Sequence, residues 1–496
     1  MKKILSAVLA LCLALSCIVP AFARDADACG CGKTPILVVS GMGALPFWLN
    51  EGTPEQTECF PPHPDIPKLV FRALGGLFRS VVTFDLKPFA NTAADIALDI
   101  LGVMACDADG NSLYAVTPVL VEGAMSTYDP SQYEDAGSAE FSIVNSAVRA
   151  VGADHAYFYN YDWRLDPLSN AKDLDAYIDR VLRETGHDKV RVVAISMGGV
   201  QTMAYLEKYG HDKIETIWFM SAAYCGLLFV TNIFTGEIQF SQQSFFSWLQ
   251  TLDVGKSDKT DKAFDAFFGW CGRTALLRPL FTLLNNTADK VNSIVVDRVI
   301  RRTLSTMPGM WAFVRDDRYE EAKKAMLPEN ASDKFVERID AYHYDVLNRR
   351  EEILKDAQAD GVEIAVISHY NKGCVPVTSS AQAHGDSLIE TVCTSGGATV
   401  ADYGSTLPAD YTQKACKEHN HLSADGVIDA STCMFPDTTW FIKNMPHVGC
   451  NRGSAFADML VWLFSQEHVP TVFADARYPQ FLETDSRTQM TLEPVK

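Results

Sequence analysis

Short apolar runs alternate with amphipathic segments over much of the chain. Runs of about four to eight residues rich in Val, Ile and aromatics predict buried strands, and segments with an apolar residue every third or fourth position predict helices. Strands that alternate with helices are typical of an α/β protein with a mostly parallel sheet and helices on both faces. The predicted strands are 35–40, 155–159, 189–195, 214–220, 362–369 and 439–442, and the predicted helices are 174–184, 200–209 and 455–464.

The alternation stops over residues 222–360, where the pattern is mostly helical and rich in aromatic residues. We interpret this stretch as a helical cap inserted into the sheet domain, with most of its aromatics in the core of the cap. The predicted organisation is a core in two parts, 24–221 and 361–466, the cap over 222–360, and a polar C-terminal tail over 467–496. The aromatics that suggest the cap are Phe245, Phe246 and Trp248, then Phe264, Phe267, Phe268 and Trp270, and finally Trp311 and Phe313.

Residues 1–23 have the pattern of a secretory signal peptide. Lys2 and Lys3 precede an apolar run that is short for a membrane span, and Ala21-Phe22-Ala23 is the small-x-small pattern before a cleavage site. Cleavage before Cys17, which would give a lipid-anchored protein, ranks second because Ala14-Leu15-Ser16 matches a lipobox poorly. We therefore expect a protein that is secreted or held at the cell surface.

Charge and cysteine content narrow the possible partners. The net charge of −19 argues against nucleic acid and against loose binding to anionic membranes. Of the 13 cysteines, Cys12 and Cys17 lie in the signal, which leaves an odd number in an oxidising setting, so we expect some disulfides and at least one unpaired thiol. Cys29-Gly30-Cys31 could be a metal or redox pair, but without a second ligand pair at zinc-site spacing it is better interpreted as a disulfide partner or tether.

The strongest chemical motif is the turn around Ser196. Ala194-Ile195-Ser196-Met197-Gly198 follows a β-branched strand and precedes a helix. This is the context of the G-x-S-x-G nucleophile elbow, with alanine in place of the first glycine. The turn would expose Ser196 at a helix N-terminus, where developing negative charge is favoured. The alternative is an ordinary strand-to-helix turn with a capping serine.

The other members of a triad are inferred from chain order, which in this class is serine, acid, histidine. His447 follows the last predicted core strand and is the expected base. Asp425 is our first choice for the acid and Asp429 the second, although an ordinary Asp-Gly turn would explain Asp425-Gly426 nearly as well. His419 and His421 precede the acid and so break this order. They could instead form a metal pair, but no cysteine or acidic residue at a recognisable metal-site spacing supports that interpretation.

Two backbone amides should form the oxyanion hole. One should belong to Met197, the residue after the serine, and the other to Met42 in the Gly41-Met42-Gly43 loop after the first strand. The reaction requires no metal and no organic cofactor.

Three segments of the chain resemble the lecithin:cholesterol acyltransferase family, which includes phospholipid:diacylglycerol acyltransferase. The segment Ile36–Gly43 resembles the family's first strand and oxyanion loop, Tyr161-Asp162-Trp163-Arg164 matches its Y-D-W-R element, and Ser196 falls about thirty residues later, as in the family. The resemblance implies an α/β-hydrolase fold and acyl transfer to or from a lipid. Asp162 and Arg164 would then tie a loop near the site without acting as catalysts.

The chain also departs from that family. Its acid usually lies in a G-D-D-T-V-A type segment, and the closest string here, 396–401, contains no acid. Ser40 replaces the proline before the loop glycine. The family's disulfide-held lid would correspond to the segment from Cys59 to Cys106.

Together these patterns predict a serine acyl hydrolase or O-acyltransferase for lipid esters, similar to a phospholipase or lipase. A surface binding protein on a catalytically inactive hydrolase fold is the alternative from another class, motivated by the missing acid. An esterase for small soluble esters, or a peptidase, is a third interpretation, which the aromatic cap argues against.

Overall fold

The computed structural model describes residues 31–61, 87–134, 139–237, 288–375, 383–485 and 488–496, with scattered positions in 72–85, in 266–282 and at 378. The predicted signal peptide lies outside the described residues. So do the first aromatic cluster of the predicted cap and all of the second except Trp270.

The strands alternate with helices along the chain as the hydrophobic pattern predicts. The first seven strands are β1 (Ile36–Val39), β2 (Phe47–Leu49), β3 (Thr57–Phe60), β4 (Val116–Pro118), β5 (Ala156–Tyr159), β6 (Val190–Ile195) and β7 (Ile214–Met220). The remaining strands are β8 (Glu363–Tyr370), β9 (Lys372–Gly373), β10 (His384–Gly385), β11 (Thr399–Val400), β12 (Ile428–Asp429), β13 (Thr439–Lys443), β14 (Phe481–Thr484) and β15 (Leu492–Pro494).

Eight of these strands form the central sheet, in the order β15-β14-β13-β8-β7-β6-β1-β5. All neighbours pair in parallel except β14 and β15. The α/β prediction, a mostly parallel sheet surrounded by helices, is therefore confirmed. Because β1, β6, β8 and β13 run in the same direction, the loops that follow them meet at one edge of the sheet.

Alternating side chains of each strand bury into two separate core layers. Leu37 and Val39 belong to one layer, and Ile36 and Val38 belong to the other. A strand buried on both faces needs mostly apolar residues, which explains why four of the six residues of β6 are valine or isoleucine. The α-helices that cover the sheet and build the rest of the chain are Lys87–Leu101, Pro130–Glu134, Ala139–Val151, Pro167–Thr185, Gly198–Tyr209, Leu228–Phe234, Ala288–Arg298, Pro308–Trp311, Tyr319–Met326, Asp333–Ala341, Arg350–Ala359, Thr391–Thr394 and Ala455–Phe464.

Helix ends follow local capping chemistry. Asp166 accepts hydrogen bonds from the backbone N–H groups of Leu168 and Ser169, both at 3.1 Å, ahead of Pro167 at the first helical position. Gly186 ends that helix in the left-handed conformation, with φ of 69°. The helix that the sequence predicts over 174–184 therefore begins earlier, at Pro167, because capping chemistry and not the apolar pattern sets its start.

The described part of the segment between β7 and β8 is mostly helical, and its role as a cap over 222–360 stays a prediction. Trp311 and Phe313 are 2% and 3% exposed, and Trp311 packs edge-to-face on Phe234 with ring centroids 4.9 Å apart. Both aromatics serve the core of the insertion, as most of its apolar residues were expected to do.

The C-terminal segment differs from the predicted polar tail, because it supplies β14 and β15. β14 pairs with β13 through Phe441 and Phe481, whose rings stack at 5.3 Å. Only every second residue of β14 is fully buried and no residue of β15 is, so their apolar content is too low to stand out in the sequence.

Two further findings bear on the sequence predictions. No disulfide joins any two of the ten described cysteines, and the Cys59 thiol donates to the carbonyl oxygen of Phe47 at 3.4 Å instead of pairing with Cys106. Within the described residues, none of the helices has both the length and the apolar content that crossing a bilayer requires.

Candidate active site

Ser196 occupies a strained turn between β6 and the helix Gly198–Tyr209. Its φ of 50° lies in the left-handed region, which is costly for a residue other than glycine and is tolerated where the surroundings determine it. The N–H of Ser196 donates to the carbonyl of Met220 at 3.1 Å, and its own carbonyl accepts from Gly199 and Ala223 at 3.0 and 2.9 Å. The turn therefore holds the serine in one orientation above the sheet.

Close backbone approach explains the glycines around this turn. A Cβ on Gly198 would lie 2.3 Å from the carbonyl oxygen of Val39, and one on Gly41 would lie 2.8 Å from Cβ of Ser196. Ala194 occupies the position of the first glycine of the elbow and is fully buried without such a conflict. Alanine is therefore acceptable there, whereas the second glycine is required.

A continuous hydrogen-bonded chain runs from Ser196 through His447 to Asp386. Nε2 of His447 lies 2.9 Å from Oγ of Ser196, and Nδ1 lies 2.7 Å from Oδ2 of Asp386. A carboxylate can only accept, so we assign the ring proton to Nδ1, which leaves the lone pair of Nε2 facing the serine hydroxyl. This is the arrangement in which a serine can lose its proton to the imidazole.

Asp386 is completely buried yet is kept ionised. Its Oδ1 accepts from the N–H groups of Leu388 and Ile389 at 3.0 and 2.7 Å. Burial alone would raise the pKa of Asp386, but the charge and hydrogen bond of His447, with the Ile389 amide, lower it below its usual value. A fixed anion at this point orients the imidazole.

The structure corrects the expectation that Asp425 orients His447. Asp425 accepts from the hydroxyl of Tyr370 at 3.0 Å and pairs with Nζ of Lys443 at 3.1 Å. Asp429 accepts from Tyr411 at 2.8 Å and caps the turn that follows it. Both aspartates lie in the segment that runs from β11 to the end of β12, and both make their polar contacts away from His447. The shorter segment after β8 brings Asp386 to the imidazole instead.

The loop that carries His447 is anchored by a buried histidine. Nδ1 of His369 lies 3.1 Å from the carbonyl of Pro446, which can only accept, and 3.1 Å from Oγ of Ser221. Burial, as the largest cause, lowers the pKa of His369 to about 4, so the ring is neutral at pH 7. His369 therefore positions the residue before His447 without adding a charge.

Met42 and Met197 are the residues predicted to supply oxyanion amides: Met197 follows Ser196 in the chain, and Met42 follows Gly41, which closely approaches Ser196. Met197 is buried at the start of the helix, and Met42 is 38% exposed in the loop after β1. Beneath that loop, Oε1 of Glu140 accepts from the N–H of Gly41 at 3.3 Å, while Oε2 is buried without a hydrogen-bond partner in the described part of the chain. Burial raises the pKa of Glu140 to about 7.

The Tyr161–Arg164 element supports the loops around the site. Nη2 of the buried Arg164 pairs with Asp162 at 2.6 Å and donates to Oγ of Ser112 at 2.9 Å, while Nη1 donates to the carbonyl of Met104 at 3.2 Å. The hydroxyl of Tyr161 donates to the carbonyl of Ser40 at 3.2 Å, next to the oxyanion loop. These contacts are structural, as the resemblance implies.

The cysteine and histidine motifs considered in the sequence analysis lie close to other cysteine and histidine side chains in the folded protein. Sγ of Cys31 lies 3.4 Å from Nε2 of His155 and 3.8 Å from Nε2 of His187. The His419 and His421 pair is joined by Cys416. Cys29 lies outside the described residues.

Sequence reasoning missed Asp386, Glu140 and His369. A usable signal existed for Asp386, because it is the first carboxylate after β8, and the acid is expected after the next-to-last core strand. No local sequence pattern identifies Glu140 or His369, because their importance comes from contacts with residues far away in the sequence.

Comparison with a protein-family model supports this fold. A family model described as the alpha/beta hydrolase fold matches residues 137–275, which include the Ser196 turn. The chain therefore carries an alpha/beta-hydrolase fold, which indicates a hydrolase. Among solved structures, "The crystal structure of Tle4-Tli4 complex" is matched at 10% identity and a TM-score of 0.27, over 68% of this chain and 75% of that one.

Proposed function

We propose that this protein is a serine acyl hydrolase in which Ser196 is the nucleophile, His447 the general base and Asp386 the third member of the triad. The observation that carries the proposal is the hydrogen-bonded chain from Ser196 to His447 to Asp386. Each donor and acceptor along it has the polarity that acyl transfer requires.

The proposed reaction has two steps. Nε2 of His447 takes the proton of Ser196 as Oγ attacks the ester carbonyl carbon, and the same proton passes to the alcohol oxygen when the carbon–oxygen bond breaks. Water then attacks the acyl-enzyme, gives its proton to His447, and Ser196 recovers its hydroxyl as the acid leaves. Asp386 stays ionised throughout and stabilises the imidazolium form of His447.

The backbone amides of Met42 and Met197 are the proposed oxyanion donors. The close approach of Gly41 to Ser196 supports this role for the loop after β1, and the helix that begins at Gly198 directs its amino end toward the developing charge. These donors would act on the tetrahedral intermediates of both steps.

We infer further that the substrate is a lipid ester. The helical insertion between β7 and β8, the exposed apolar side chain of Met42 next to Gly41, and the resemblance to lipid acyltransferases support this class. Water is the default acceptor for an exported enzyme, and export through residues 1–23 is part of the proposal. A lipid hydroxyl as acceptor would make the same acyl-enzyme a transferase.

Covalent labelling tests the nucleophile directly. A fluorophosphonate probe should modify the purified protein once, and peptide mapping should place the adduct on Ser196. Ser196→Ala should lose both the label and ester hydrolysis, because no acyl-enzyme can form. The matched control is Ser465→Ala, which changes an exposed serine at the end of the helix Ala455–Phe464 and should label as the parent does. An unlabelled parent would instead favour a binding protein on an inactive fold.

A series of nitrophenyl esters tests the substrate class. Each methylene moved from water to an apolar wall contributes about 0.8 kcal/mol, so kcat/KM should rise steeply as the acyl chain lengthens from acetyl to octanoyl. All esters are measured below their micelle concentrations. A maximum at acetyl would exclude the lipid substrate and leave the serine mechanism intact.

A further inference from the structure

A second group of reactive side chains lies on the excursion between β11 and β12. Cys416, His419 and His421 each direct one ligand atom so that all three atoms lie within 4.8 Å of one another. A thiolate and two imidazoles are ligands that zinc and related divalent transition metals prefer. The short Cys-x-x-His-x-His spacing brings all three from one loop.

Asp437, in the turn before β13, lies beside the two histidines. Its Oδ1 lies 3.4 Å from Nε2 of His421 and 3.8 Å from Nδ1 of His419. Ligand atoms bound at the usual zinc distances in a tetrahedron lie about 3.3–3.7 Å from one another. The carboxylate oxygen is therefore close enough to both imidazoles to bind the same ion as a fourth ligand.

The buried ring of His421 shows which of its nitrogens is available. Gln480 donates through its amide nitrogen to the carbonyls of Pro436 and Thr439, at 2.7 and 3.1 Å, so its oxygen must face Nδ1 of His421, 2.9 Å away. Nδ1 therefore carries the proton, and Nε2 is a bare acceptor. Metal-binding histidines typically have this second hydrogen bond, which fixes the ring and its tautomer.

That bare nitrogen needs a cation. His421 is 0% exposed, and within the described residues Nε2 makes no hydrogen bond, although it faces the Asp437 carboxylate. Two acceptors that face each other repel unless a positive charge lies between them. A divalent ion would satisfy both, and its charge would balance one thiolate and one carboxylate.

The loop that carries Cys416, His419 and His421 is also preorganised. The side-chain amide of Gln413 donates to the carbonyls of Ala415, Cys416 and His419, and its oxygen accepts from the N–H of His421 at 2.7 Å. One half-buried amide thus holds the backbone that carries all three loop ligands. Preorganised ligands bind an ion with a smaller loss of conformational entropy.

We propose that Cys416, His419, His421 and Asp437 bind one divalent transition-metal ion of the zinc class. The ion joins the excursion between β11 and β12 to the amino end of β13, whereas Ser196 lies at the carboxyl edge of the sheet. The site is therefore structural: it holds the excursion against the sheet and takes no part in the reaction at Ser196.

Cobalt substitution of the full-length protein tests this site. The protein is stripped with a chelator and titrated with Co²⁺ and, separately, with Zn²⁺ in competition with a chromophoric chelator. We expect the intense visible bands of tetrahedral cobalt, a thiolate-to-cobalt charge-transfer band in the near ultraviolet, and a higher Tm with zinc. Cys416→Ser should lose the charge-transfer band and bind zinc about 100-fold or more weakly.

All titrations use a Cys31→Ser background, because Cys31, His155 and His187 also bring one thiol and two imidazoles together. Cys59→Ser removes a half-buried thiol outside both clusters and is the matched control, which should leave the cobalt spectrum unchanged. His419→Ala removes an exposed ligand and should weaken zinc binding as Cys416→Ser does. Ester hydrolysis by the Cys416→Ser variant should match the parent. The proposal is overturned if the charge-transfer band survives in Cys416→Ser. It is also overturned if the stripped, natively folded protein takes up no metal, as expected if a doubly protonated His421 simply pairs with Asp437.

Discussion

Asp386 and Asp425 are two aspartates that follow β8, lie mostly out of solvent and have a pKa lowered from its usual value. Their side chains are 1% and 12% exposed. For both aspartates burial opposes ionisation, and local partners outweigh that effect on the pKa. The partners of Asp386 are His447 and the Ile389 amide, and those of Asp425 are Ser423, Lys443 and Tyr370. They differ in the partner, because one faces an imidazole and the other an ammonium group.

This difference teaches that a buried, ionised carboxylate is not by itself a mark of catalysis. The ion pair with Lys443 cannot activate a serine hydroxyl, since an ammonium group has no lone pair that could accept a proton. An imidazole has two nitrogens, so the hydrogen bond that Asp386 accepts from Nδ1 determines what Nε2 can do. Only the identity of the partner separates the two roles.

The largest expected effect is that of Asp386→Asn on activity. An amide at this position can donate to Nδ1 of His447, which would place the ring proton on Nε2 and block proton transfer from Ser196. We expect kcat/KM to fall by about 10⁴-fold, with folding preserved because the amide oxygen can still accept from Leu388 and Ile389. Steady-state ester hydrolysis and circular dichroism measure the two quantities. Retention of more than a tenth of the activity would exclude Asp386 as the orienting acid.

The next effect concerns Glu140, a buried carboxylate with a raised pKa. Because burial raises the pKa from 4.5 to about 7, the folded state holds this proton more tightly than the unfolded state. The resulting stabilisation is complete below pH 4.5 and is lost as the pH rises through 7, by up to roughly 3 kcal/mol. Glu140→Gln should remove this pH dependence and be more stable than the parent at pH 8.

Urea denaturation of parent and Glu140→Gln at pH 5, 6, 7 and 8 measures this difference. The two curves of unfolding free energy against pH should diverge as the pH rises. Parallel curves would mean that Glu140 is ionised throughout and is not protonated by burial.

The smallest expected effect is that of Asp425→Asn. The amide can still accept from the hydroxyl of Tyr370 but loses the ion pair with Lys443, so the unfolding free energy at pH 7 should fall by about 1–2 kcal/mol. Since the pKa of Asp425 is lowered, its contribution is present above pH 4 and lost as the pH falls through the folded pKa, so the variant and parent should converge in acid. kcat/KM should stay within a few-fold of the parent. A loss as large as that of Asp386→Asn would reverse our assignment of the two aspartates.

The candidate site was predictable to different extents. The Ser196 turn was recognisable because its requirements are local: a buried β-branched strand, a tight turn with Gly198, and a helix behind it. His447 followed from its place after the last core strand. The acid was misassigned because chain order permits any aspartate between β8 and β13, and Asp425-Gly426 is followed by the β-branched residues Val427 and Ile428. Proximity to Nδ1 of His447 exists only in the folded chain.

The fold shows the same division. The strands of the central sheet from β1 to β13 were predictable because burial on both faces demands continuous apolar runs. β14 and β15 were not, since an edge pair of alternating burial has a weak pattern. Their loss from the prediction also hid Gln480, which lies just before β14 and orients His421.

The sequence by itself determined the class of fold, the elbow serine and the histidine, because strand burial and turn geometry depend on residues adjacent in the chain. Tertiary structure alone decided which aspartate faces His447, why burial raises the pKa of Glu140 to about 7, and that Cys416 and Asp437 both approach His421. The reason is physical. A pKa, an orienting hydrogen bond or a set of ligands depends on distances of about 3 Å between groups far apart in sequence, and no local pattern encodes such distances.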